Sequence, residues 1–233
     1  MTTTENLIES LAADARPVRR LWPPFALAGT WLVGFLILAM ILTLFTNAWP
    51  AMIVRLEGAR FAFEIAATFA TGITAIIAAF YLSLPDRSRL WLVLPLPTLL
   101  GWLGSNGYEC YGNWVVYSRH ELQWGDTSKC FVFIVGISIP MAVALYLVVR
   151  RARPLDASRV MMAGGLGIAA LAATLLQFYH PFDVTFVDLA VHMLAVLVVV
   201  VAMTASGAGL SRFRPYLIPA KCLPSGSRNS GGF

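Results

Sequence analysis

His180, Asp183, Asp188 and His192 fall within the short stretch "HPFDVTFVDLAVH", which contains no Lys or Arg although the chain carries a formal net charge of +5. Imidazole nitrogens and carboxylate oxygens are ligands for a transition metal, and histidine changes its charge near neutral pH. Cys110 and Cys130 add two thiols, which could join such a ligand set or pair as a disulfide in an oxidising compartment. The four residues also have a plainer reading as a hydrogen-bonded rim. Asp183 would then cap the helix that follows, and Asp188, four residues before His192 on the same helix face, would orient an otherwise unsatisfied imidazole. The spacing is looser than a zinc signature, so both readings stand. The chain has no nucleophile elbow, phosphate-binding loop or paired-cysteine metal motif, so neither an enzyme nor a cofactor is expected.

The elements that must position these residues are apolar. Of 233 residues, 58% are hydrophobic and 12% charged, about half the charged share of a soluble domain. A helix crossing the hydrocarbon core needs about 20 apolar residues. Six runs approach or reach that length: Phe25 to Thr46, Phe61 to Leu84, Leu90 to Gly107, Cys130 to Val149, Val160 to Phe178 and Phe186 to Ser206. The expected fold is an all-α polytopic membrane protein, a six-transmembrane-helix bundle over residues 25–206. Residues 1–24 and 207–233 flank it as cytoplasmic segments. The first run is too long for a secretory signal and lacks a small-residue cleavage site after it.

Lys and Arg concentrate on the cytoplasmic side of helical membrane proteins. Counted in alternating loops, thirteen of the seventeen basic residues fall on one side, among them Arg16, Arg19, Arg20, Arg87, Arg89, Arg150, Arg151, Arg153 and Arg159. Arg55, Arg60, Arg119 and Lys129 fall on the other. Both termini are therefore expected in the cytoplasm. The 108–129 connection, the His/Asp stretch, Cys110 and Cys130 then face outward.

Leu7, Ile8, Leu11, Ala15 and Val18 recur at helical spacing, with Glu5, Glu9 and Asp14 on the opposite face. Thr2 and Glu5 resemble a capping box, and Pro17 ends or kinks the helix. A lone helix of about a dozen residues is marginal in water, so its apolar stripe needs a cover. Lipid, its own bundle or a groove on a partner would serve, and the acidic polar face favours a protein partner. The tail after residue 206 mixes Pro, Gly and Ser without apolar periodicity and is expected to be disordered, its basic residues near anionic headgroups. Glu64, inside the second run, is either a functional intramembrane charge or a side chain reaching the interface. "AGGLGIAALAA", residues 163–173, is small on every side and suits close helix packing. Pro95, Pro97 and Pro140 suggest kinks within spans.

The start "LIESLAADARPVRRLWPP", the Cys that opens the fourth span with Pro140 inside it, "LVVRRARPL", "AGGLGIAALAA" and the closing His motif occur in an order that resembles the NrsF-like membrane anti-sigma factors. The likeness runs from about residue 5 to residue 206. It implies a six-span inner-membrane protein whose cytoplasmic N-terminal segment sequesters an extracytoplasmic-function sigma factor, without direct nucleic-acid binding, and releases it on envelope, redox or metal stress. By position, the resemblance gives partner binding to Leu7, Ile8, Leu11, Arg16, Val18, Arg19 and Arg20. It also implies two outward cysteines in stress sensing. Cys130 matches the first, but the second position, just after His180, holds Pro181, so that pair does not carry over intact. Either Cys110 substitutes, or sensing rests on His180, Asp183, Asp188 and His192. Two competing readings are a small transporter or channel using Glu64, His192 and kinked spans, and a haem-binding redox protein. The first lacks a matched pair of broken helices, and the second lacks facing histidine pairs.

Overall fold

The computed structural model describes residues 4–13, 22–46, 49–115, 124–179 and 186–212. Every described element is helical. In chain order they are α1 (Thr4–Ala13), α2 (Pro24–Thr46), the short α3 (Trp49–Leu56), α4 (Ala59–Leu82), a 3-10 turn (Arg89–Val93), α5 (Leu96–Val115), α6 (Trp124–Ala152), α7 (Ala157–Tyr179) and α8 (Phe186–Arg212). Five of them, α2, α4, α6, α7 and α8, are long and apolar enough to cross a membrane. Helix α5 is 20 residues long, about 30 Å, but is not among the five, since Ser105, Asn106, Glu109 and Asn113 dilute its apolar character.

Helix α7 is the centre of the bundle, packed by α4, α6 and α8. Its glycines explain how three neighbours come so close. A Cβ on Gly167 would stand 2.8 Å from Ile76 Cγ1 and 3.1 Å from the Gly72 carbonyl oxygen on α4. On Gly72 it would stand 2.5 Å from Leu171 Cγ and 3.3 Å from the Gly167 carbonyl oxygen, so the two glycines admit each other's helix reciprocally. On Gly164 it would collide with Leu145 of α6, and on Gly165 it would meet Val200 and Met203 of α8. At the far end of α8, a Cβ on Gly207 would lie 2.6 Å from the Ala157 carbonyl oxygen. Ile76, Leu145, Met161, Ile168 and Leu171 fill the space between these contacts and are fully buried.

These contacts also fix the directions of the chain. The ends of α4, α6 and α8 and the starts of α2, α5 and α7 share one end of the bundle, which carries Arg87, Arg89, Arg150, Arg151, Arg153 and Arg159. At the opposite end Thr43 of α2 hydrogen-bonds Tyr179 of α7 at 3.3 Å, Phe61 meets Phe178 edge to face, and Phe133 packs on Tyr179. The α6–α7 corner is tight. Arg153 takes a left-handed φ of 48° while its N–H closes α6 on the Val149 carbonyl. Asp156 then caps α7, accepting the Arg159 N–H at 3.2 Å.

Several expectations from the sequence are corrected. The third run begins not at Leu90 but with a 3-10 turn, after which α5 starts at Leu96. Pro95 and Pro97 mark that start and do not kink a span, because a first-turn proline loses no helical hydrogen bond. Pro140 does lie inside α6. The 108–129 connection is mostly helix: α5 continues to Val115 and α6 begins at Trp124. Helix α8 runs to Arg212, beyond the expected end at Ser206, because the Gly207 contact with α7 keeps that stretch packed. Helix α3 was not anticipated.

Replacing Gly207 by Ala drives a methyl group into backbone that lacks a flexible side chain to yield, which costs about 1 to 3 kcal/mol. The detergent-solubilised Gly207→Ala chain should unfold at a lower temperature than the wild type. Gly29→Ala, where a Cβ meets no atom within 4 Å, should unfold at the wild-type temperature.

Candidate functional site

Of the residues singled out by their chemistry, Glu64, Cys130, Asp188 and His192 lie toward the end of the bundle opposite the arginine-rich end, but not as one cluster. Cys130 is 2% exposed and packs with Ile134 of its own helix, Ala172, Ala173 and Leu176 of α7, and Ala195 of α8. Its thiol therefore lies in an apolar seam between three helices. Asp188 is buried in the first turn of α8, and His192, one turn on, is half-buried. The His192 ring bonds the Asp188 backbone carbonyl through Nδ1 at 2.7 Å. A carbonyl only accepts, so Nδ1 carries the proton in this bond. Asp188 thus holds the His192 ring through its main-chain carbonyl.

His180 and Asp183 lie outside the described residues, as does the side chain of Cys110, whose backbone belongs to α5. Among the described residues no three His, Cys, Asp or Glu side chains converge on a point that could hold a metal ion.

A second polar group, centred on Glu64, is more extensive than the sequence suggested. Glu64 is 7% exposed, its carboxylate turned into the α4–α5 contact. Its Oε1 accepts from Ser105 Oγ of α5 at 2.8 Å and from Arg60 Nε at 3.4 Å. Arg60 also donates through Nη2 to the Ser105 carbonyl at 3.2 Å and lies 5.8 Å from the Tyr108 ring centroid. One turn deeper, Thr68 Oγ1 donates to the Glu64 carbonyl at 2.6 Å and accepts from Gln177 Nε2 of α7 at 3.3 Å. Deeper again, Thr71 Oγ1 donates to Thr98 Oγ1 of α5 at 3.0 Å. The four-residue spacing of Arg60 and Glu64 was a signal for the ion pair in the sequence. Nothing in the sequence pointed to Ser105, Thr98 or Gln177, because their roles depend on which helices become neighbours.

Helix α1 has every residue exposed, with Leu7, Ile8 and Leu11 at 55%, 61% and 65% exposure. Glu5 and Glu9 are its charged residues. Arg16, Val18, Arg19 and Arg20 lie outside the described residues.

The burial of Cys130 has a direct chemical consequence. In membranes carrying Cys110→Ser and Cys222→Ser, a bulky maleimide should label Cys130 far more slowly than a cysteine placed at exposed Ser128. Denaturation in detergent should bring the two labelling rates together.

No curated protein and no solved structure matches the chain. The family model described as negative regulator of sigma F matches residues 11–213. That range includes Leu11, the arginines that follow, all of the long helices and the Glu64 group, and it leaves out Leu7 and Ile8. It covers most of the chain and describes regulators rather than enzymes. A helical chain with five potential membrane spans thus belongs to the NrsF family, the negative regulators of a sigma factor.

Proposed function

We propose that this protein is a membrane anti-sigma factor that holds an extracytoplasmic-function sigma factor at the bacterial inner membrane through residues 1–24 and releases it under envelope, redox or metal stress. In this reading α5 is a sixth span beside the five apolar helices, and the basic cytoplasmic tail follows α8, after Arg212. The arginine-rich end faces the cytoplasm, as the distribution of basic residues favours. The observation that carries the proposal is α1. It is a helix whose residues, Leu7, Ile8 and Leu11 among them, are all exposed, and it precedes α2 in a chain of a sigma-regulator family. An apolar stripe of three large side chains left in water is costly, and a groove on a partner removes that cost. Arg16, Val18, Arg19 and Arg20 extend the binding segment toward the bundle. Cys110, Cys130, His180, Asp183, Asp188 and His192 form the outward sensing end in this reading. Sequestration is the whole activity, without catalysis, cofactor or contact with nucleic acid.

Full-length protein in detergent should retain a sigma factor from the same cell. Burying one leucine contributes about 1.5 to 3 kcal/mol. The Leu7→Asp, Leu11→Asp double variant should therefore bind at least about a hundredfold more weakly. Unchanged retention by that variant, or no retained sigma factor with wild-type protein, would refute sequestration through α1. An alkaline phosphatase fused after Phe233 should be inactive, and an active fusion would reverse the proposed sidedness.

A further inference from the structure

Helix α5 is attached to the bundle in a different way from its neighbours. Helices α4, α6, α7 and α8 interlock through glycines whose replacement would strike backbone or packed side chains. A Cβ on Gly104, Gly107 or Gly112 of α5 would meet nothing within 4 Å, and on Gly101 only Phe63 at an ordinary 3.7 Å. Beside the apolar contacts of Phe63 and Trp102, α5 is tied to α4 by polar links: Ser105 to Glu64 at 2.8 Å, Arg60 to the Ser105 carbonyl at 3.2 Å and Thr71 to Thr98 at 3.0 Å. Interlocked surfaces resist sliding because every intermediate position clashes, whereas hydrogen bonds between hydroxyls and a carboxylate can exchange partners over a small shift.

A second observation on α5 points the same way. The indole Nε1 of Trp102, on a side chain 6% exposed, is buried without a hydrogen-bond partner among the described residues. A buried donor left unmade raises the energy of this position of the helix. A shift that gave it an acceptor would lower the cost of leaving the position shown. The helix also reaches both ends of the bundle. Cys110 lies on it beyond Ser105, while its start continues back through the 3-10 turn to Arg87. That turn is fastened by the stack of Trp91 on Tyr81 at 4.2 Å and by Arg87 over the same Tyr81 ring at 5.7 Å.

We infer that α5 is the moving element of the bundle and that the Arg60, Glu64 and Ser105 cluster is the latch holding it in the sigma-retaining position. The inference rests on the anti-sigma reading and specifies how the sensing end acts on the binding end. Opening the latch lets α5 shift against the fixed α4–α7–α8 core. The shift pulls the 3-10 turn off its Tyr81 contacts at the arginine-rich end, where α2 begins at Pro24.

The test measures sigma factor retained by full-length protein in isolated membranes, with the amount of inserted protein measured alongside. Glu64→Leu removes the acceptor for both partners and should lower retention about tenfold without stress, with Ser105→Ala and Glu64→Gln intermediate. Thr71→Cys with Thr98→Cys, oxidised to a disulfide, should hold α5 in place. That chain should keep its sigma factor under a stress that releases it from the Thr98→Cys chain treated identically. Wild-type retention by inserted Glu64→Leu would overturn the latch, as would normal release from the cross-linked pair. If Glu64→Leu does not accumulate, Ser105→Ala and the cross-linked pair decide. Wild-type protein that retains no sigma factor at all would instead overturn the anti-sigma reading itself.

Discussion

The reciprocal approach of Gly72 and Gly167 is the constraint on which the rest of the arrangement depends. Each glycine leaves room for the other helix's backbone and for a large residue beside it, Leu171 against Gly72 and Ile76 against Gly167. In hydrocarbon the apolar effect gives helices little reason to prefer one another over lipid, so such close fit is a main source of specificity. Because α7 carries glycines toward α4, α6 and α8 at once, one helix sets the position of three. Cys130, Glu64 and the α8 turn bearing Asp188 and His192 are placed as a result.

Around that rigid centre the polar groups are distributed unevenly. On the α7–α8 side, Cys130 lies among alanines, Ile134 and Leu176, and His192 spends its Nδ1 proton on its own helix. On the α4–α5 side, a carboxylate, a guanidinium and several hydroxyls link two helices over about two turns. A charged residue within a span is tolerated when it is paired, and Glu64 meets that condition through Arg60 and Ser105. The result is a bundle with one face fixed by shape and another held by exchangeable bonds.

Much of this was legible in the sequence, for reasons that differ by element. The runs at Phe25, Cys130, Val160 and Phe186 announced helices because apolar length is a property of a segment alone. "AGGLGIAALAA" announced a packing surface because small residues on every side have few other uses in a long apolar helix. The helical spacing of Leu7, Ile8 and Leu11 announced a helix, α1, in the same local way. Family membership, too, followed from motifs read in order. The helix ends were harder, since Gly207 extends α8 by touching Ala157, a residue 50 positions earlier in the chain. The Glu64 network was harder still. Ser105 and Gln177 are unremarkable in sequence and gain meaning only when α4 lies between α5 and α7.

The weak attachment of α2 has a consequence of its own. Only 11% of its apolar window is buried within the bundle, against 83% for α7. A span that touches mostly acyl chains takes its inclination largely from hydrocarbon thickness and anchoring residues. In the proposed membrane arrangement α2 carries the leading peptide, so lipid composition gains mechanical leverage over where that peptide emerges, independent of any thiol or imidazole chemistry.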